Sequence, residues 1–225
     1  MVRPDGASSS NELLSLSGHT GPHIDALCHF EVDGKMHGGI DSVAAAAGGR
    51  GFTELAIDSV APIVCRGVLL DVPTALGEKS FGAGRAITAA DLEETCRVQG
   101  VEIGTGDCVL IRTGWAEDHY GDSSFVGFEG GAPGPDSSAA RWLVERGVRV
   151  TGSDTIAYEV VTAGQVPLPV HVILLVESGV HIIEVMDLEE LARDHVHEFA
   201  FVCSPLKMAG ATASPVRPLA LVDSS

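Results

Sequence analysis

Short apolar runs alternate with helix-forming segments along most of this 225-residue chain, and that alternation restricts it to an α/β fold. Residues 68–72 (VLLDV), bounded by Pro73, have the length and composition of a buried strand. Thr88 and Asp91 stand at capping-box spacing ahead of a helix that offers Leu92 and Cys96 to a core and stops at Gly100. Residues 106–115 (GDCVLIRTGW) read as a strand entering a glycine turn. Ser137 or Ser138 is placed to cap a second helix through Ala140, Leu143 and Val144, which ends at Gly147. Residues 148–151 predict a strand leading into Ser153 and Asp154. Pro169 opens a helix that carries His171, Leu174 and Leu175 as far as Gly179. An apolar stretch at 180–185, a short charged helix at 187–194 and a last strand at 198–203 complete the pattern.

With 45% hydrophobic residues the chain can bury one sizeable core, so a single domain over residues 13–225 is expected behind a flexible, polar N-terminus at 1–12. The segment 33–51 is rich in glycine and alanine and reads as an irregular active-site loop holding one short helix. A formal net charge of -17 repels phosphate backbones and argues against nucleic acid and anionic membranes as partners. Five cysteines, with no C-x-x-C, fit a reduced, cytoplasmic compartment. No stretch is long and apolar enough to span a bilayer, and the first residues do not read as a signal peptide.

The chemistry concentrates in residues 18–30, GHTGPHIDALCHF, with the spacing His-x-x-x-His-x-Asp-x-x-x-His. Gly21 and Pro22 disfavour a helix through this segment. In an extended chain His23 and Asp25 point to the same side, and a turn at Gly21-Pro22 can swing His19 back towards them. Two imidazoles and a carboxylate converging in this way suit a transition metal with room left for water. His29 is then either the acid–base residue beside the metal or a third nitrogen ligand. Glu184 lies in HIIEVM, among residues expected to be buried, where a carboxylate needs a metal, a hydrogen-bond donor or an arginine. Trp115 could flank an aromatic substrate or pack in the core, and Asp154 could orient a ligand histidine or cap a turn.

This segment resembles the H-x-G-T-H-x-D-x-P-x-H signature of the cyclase family of metal hydrolases, which includes bacterial kynurenine formamidase and isatin hydrolase. The blocks GDCVLIRTGW, RWLVERGV with GSDT, LPVHVILLVESGVHIIEVMDLEEL and SPLKMAGATASPVRPLAL resemble the same family in the same order, from about Leu13 to the end. The resemblance implies a swivelling β/β/α-type fold with a mixed sheet core. It places His19, His23 and Asp25 on the first metal-binding triad, His29 on the proton acceptor and donor, and His171 and Glu184 on a more distant pair of ligands. One or two divalent ions, Zn2+ or Mn2+, are implied, with Asp25 bridging if there are two. The implied activity is hydrolysis of a C–N bond in a small cyclic or aromatic amide by a homo-oligomeric enzyme. Metal-assisted cyclisation or dehydration, and a non-catalytic metal- or small-molecule-binding role, are the alternatives. Pro22 replaces the family's usual Thr or Ala, and Leu27 its usual Pro; both positions shape backbone rather than bind metal. Eighteen residues precede His19, where relatives usually carry further strands, so a late start site or the loss of part of the sheet and pocket is expected.

Overall fold

The computed structural model describes residues 4–46, 48–164 and 168–223. Ten strands form among the described residues: β1 (His23–Asp25), β2 (Ile63–Asp71), β3 (Ala86–Ile87), β4 (Cys108–Arg112), β5 (Gly134–Pro135), β6 (Val150–Ser153), β7 (His181–Glu184), β8 (Glu198–Cys203), β9 (Ala213–Pro215) and β10 (Leu219–Leu221). Eight of them make one mixed sheet in the order β10-β8-β2-β4-β6-β7-β1-β9, while β3 and β5 pair separately. Strands β2, β4, β6 and β7 run parallel, and β1, β8, β9 and β10 join antiparallel at the two sides. This is the α/β class that the alternation of elements predicts, with the mixed sheet core that the family resemblance implies.

Both faces of the central strands are buried, which is why they read as continuous apolar runs rather than alternating ones. Along β4, Val109 and Ile111 point into one core and Cys108 and Leu110 into the other. The first core is closed by the helices Ala89–Gln99 and Ser137–Glu145 through Leu92, Ala139, Ala140 and Leu143, and by Leu174 and Leu175. The second is closed by loops and short elements carrying Met36, Ile57, Met186 and Leu188, together with Phe199 and Phe201 of β8.

The capping box at Thr88 forms as its spacing predicts, and Gly100 ends that helix in the left-handed conformation. The helix Ser137–Glu145 is capped by Asp136, not by Ser137 or Ser138: the Asp136 carboxylate accepts from the Ser138 and Ala139 amides. An ionised carboxylate one residue earlier is a stronger acceptor than either hydroxyl, so the start shifts by one position. The segment from Pro169 to Gly179 begins as an α-turn, Pro169–His171, and continues as a π-helix, Val172–Ser178. Strand β2 starts five residues before Val68, and β9 and β10 follow the strand expected to be last. The described part of the loop at 33–51 holds one short α-helix, Ser42–Ala45, capped by Asp41, and a 3-10 turn, His37–Gly39; Ala47 lies outside the described residues. Of the N-terminal stretch, residues 1–3 lie outside the described part, and 4–12 are exposed, as are Leu13 and Leu14. No helix among the described residues is long and apolar enough to cross a membrane.

Candidate metal centre

The site lies where the parallel strands end, the edge at which open α/β sheets present their ligands. Register builds it. His23 of β1 sits directly opposite Glu184, the last residue of β7. His23 and Asp25, two residues apart on a strand, share the face of Glu184, while Ile24 and Ile183 turn to the second core. That shared face looks towards the helix layer, where the turn Pro169–His171 delivers His171. Gly21, at φ +59°, folds the chain so that His19 returns over Asp25. After β1 a tight turn, closed by the His29 amide donating to the Ala26 carbonyl at 2.9 Å, brings His29 back beside His19.

All six residues singled out from the sequence therefore meet around one carboxylate. Nδ1 of His19 is 3.1 Å from Asp25 Oδ1, and Nε2 of His23 is 3.8 Å from the same oxygen and 3.2 Å from Glu184 Oε2. Nε2 of His171 is 3.9 Å from Asp25 Oδ2 and 3.4 Å from Glu184 Oε1. Two sets of donor atoms lie within 4.8 Å of one another: His19, Asp25 and His29 on one side, and Asp25, His171 and Glu184 on the other. Asp25 belongs to both, and His23 stands between them.

Asp25 is 1% exposed and His23 2%. Among the described residues, neither oxygen of Asp25 nor Nε2 of His23 makes a hydrogen bond of good geometry, although His19 Nδ1 and Glu184 Oε2 stand within 3.1 and 3.2 Å of them. Buried polar atoms left without partners are costly, and three of them converging with further imidazole and carboxylate groups fit a divalent cation. The electrostatics agree. Burial opposes charge on His171, but Glu159, Glu184 and Asp25 outweigh it and push its pKa up to about 10. Burial works against the Asp25 carboxylate, yet the ring of histidines holds it below the usual carboxylate range. The centre favours positive charge. His29 differs: burial lowers its pKa despite Asp25, so the ring is neutral near pH 7.

A family model described as "Putative cyclase" matches residues 4–160. The chain belongs to the cyclase family. A crystal structure of a novel cyclase is 32% identical, superimposes with a TM-score of 0.87, and is matched over 98% of this chain and 74% of its own length. Isatin hydrolase of Roseibium aggregatum is 26% identical over 223 residues, which is 97% of this chain and 77% of that protein. Isatin hydrolase A of Ralstonia solanacearum, also 26% identical, has a TM-score of 0.68 over 92% of this chain and 73% of its own.

Within the cyclase-family frame, two residues beside the cluster carry no sequence signal. Glu159, 1% exposed, accepts the Val170 and His171 amides at 3.0 and 2.9 Å, and its Oε1 lies 2.7 Å from His171 Nδ1. His181 Nδ1 lies 2.8 Å from the Asp25 carbonyl oxygen and so donates to it. Asp154 does not reach a histidine. It accepts from the Thr113 amide and hydroxyl and from the Gly114 amide, holding the turn after β4. Burial pushes its pKa up to about 6 against the pull of those three donors, which leaves it ionised at neutral pH. Asp154→Asn would set an amide nitrogen against a backbone N–H. A loss of about 1–3 kcal/mol in stability, read from urea unfolding, is expected, with metal content unchanged. Trp115 is a core residue, 3% exposed, whose indole N–H donates to the Phe125 carbonyl.

Proposed function

We propose that this protein is a metal-dependent hydrolase that opens a C–N bond in a small cyclic or aromatic amide. The observation that carries the reading is the buried Asp25 carboxylate, with no hydrogen bond of good geometry on either oxygen and ringed by His19, His23, His171 and a second carboxylate. Likeness to two isatin hydrolases, whose substrate is a cyclic amide, supports the substrate class.

His19, His23 and Asp25, with His171 and Glu184, would hold zinc or manganese, which when bound polarises a carbonyl and lowers the pKa of water from about 16 to near 7. The chain's own residues do the rest. His29, neutral and half-buried beside His19, takes a proton from the attacking water and returns it to the leaving nitrogen, the two tasks for which an imidazole is suited. Phe30, packed against the first core with its ring centroid 5.2 Å from that of His171, gives the site an apolar wall for a planar substrate.

Protein loaded with zinc or manganese and assayed on isatin, N-formylkynurenine and a panel of acyclic amides tests this. Turnover on a cyclic or aryl amide that disappears on chelation and returns with metal is expected. Stoichiometric metal without turnover on any amide would make the protein a binding member of its family instead.

A further inference from the structure

We propose that Glu159 is a positioning residue that fixes the His171 ring for metal binding, so that loss of its charge weakens metal binding in the His171–Glu184 half of the centre and spares the His19–His29 half. This rests on the two-sided metal site proposed above.

A histidine ring binds a metal through one nitrogen only if the proton sits on the other, and the partner of that other nitrogen decides. Here Glu159 Oε1 faces Nδ1 of His171 at 2.7 Å, while Nε2 faces Asp25 and Glu184. Glu159 only accepts, so Nδ1 keeps its proton, and it is Nε2, facing the centre, that gives up its proton when a cation enters. Glu159 is itself locked. Its two oxygens also take the His171 and Val170 amides, so ring and backbone are gripped by one group.

The backbone around Glu159 is held in a conformation chosen against local preference. Tyr158, just before it, is fully buried and has φ +55°, a left-handed value rare for a bulky residue. Val185, just after Glu184, has φ +59°, rarer still for a β-branched side chain. Two of the three carboxylates that face His171, Glu159 and Glu184, are thus each next to a strained residue, and both strained residues are tied to Thr155. Its hydroxyl donates to the Tyr158 carbonyl at 3.3 Å, and its carbonyl accepts the Val185 amide at 3.0 Å. Gly134 closes the far side: a Cβ there would stand 2.3 Å from the Tyr158 carbonyl oxygen and 2.5 Å from the Glu159 carbonyl carbon. Strain of this kind persists where the surroundings over-determine it, and it clusters at functional sites.

A purely structural Glu159, capping the turn at Pro169, would affect folding alone. Metal titration separates the roles. Metal-free protein is titrated with Zn2+ by calorimetry and with Co2+ by visible absorption, for wild type, Glu159→Gln and Gly134→Ala. The glutamine keeps an acceptor for the turn, but its NH2 can donate to Nδ1 and move the ring proton to Nε2. Wild type is expected to take up two equivalents. Glu159→Gln should keep one unchanged and bind the other roughly 10–100-fold more weakly. Gly134→Ala, which displaces the Glu159 backbone but keeps its carboxylate, should weaken the same equivalent by less. Glu159→Gln protein that melts at lower temperature yet binds both equivalents as wild type does, or that loses both together, overturns the assignment. So does wild type that binds a single equivalent. Wild type that binds no metal at all fails the functional reading itself, before any variant is compared.

Discussion

Asp25→Asn should leave the protein without bound metal on either side of the centre. Asp25 is the one residue common to both groups of converging donors, and it offers one oxygen to each. Asparagine has a single carbonyl oxygen and no charge, so it cannot serve two cations, and its NH2 would face one of them. The cleanest readout is thermodynamic. A ligand that binds only the folded state stabilises it by about 2.7 kcal/mol at a free concentration of 100 Kd. Wild-type protein should therefore melt several degrees higher with zinc or manganese than with a chelator, while the Asp25→Asn variant melts at one temperature in both. Turnover of any amide should fall with the metal. A variant that keeps a metal-dependent melting shift would mean that the cation is held without this carboxylate, and the proposed centre would be wrong.

The residues that make this centre were legible because they are close in sequence. Four of the six fall within His19 to His29, where turn and strand propensities decide which side chains meet. Gly21 and Pro22 forbid a helix, an extended stretch puts His23 and Asp25 on one face, and the structure adds only the pairing partner, β7. Glu184 was legible for a different reason: a carboxylate in an apolar strand demands a partner, and His23 and His171 stand beside it. Glu159 left no such trace. It sits in TIAYEVV, between small and apolar residues, and the left-handed turn at Tyr158 that aims it is an effect of tertiary packing against Gly134 and Thr155. His181 was hidden in the same way, since its bond to the Asp25 carbonyl depends on β1 pairing with β7 across 156 positions.

The fold divides along the same line. Central strands and the helix at Thr88 follow from local patterns, because burial on both faces and a reciprocal cap each leave a sequence signature. Strands β9 and β10 do not. Each has three residues, with exposed Leu219 and Leu221 in the second, and each exists only because an edge of the sheet accepts it. The π-turns after His171 are likewise invisible in VILLVES, which carries an ordinary apolar helical pattern.

His29→Ala distinguishes the two chemical roles open to that residue, and its expected result is protein that binds metal normally and turns over about 10²–10⁴-fold more slowly. One observation favours the rival role. A nitrogen of His29 lies within 4.8 Å of the His19 and Asp25 donor atoms, close enough to make it a third ligand on that side. Two others favour proton transfer. His23 already stands 3.8 Å from Asp25 Oδ1 and can complete the same set with His19. And burial lowers the His29 pKa, which keeps the ring ready to accept a proton at neutral pH. Metal content and rate, measured on the same preparation, separate the roles. If His29 is a ligand, its removal lowers metal affinity and rate together, and added metal restores part of the activity. If it moves the proton, saturating metal restores nothing, while a small imidazole supplied in solution recovers part of the rate through the space the ring has left.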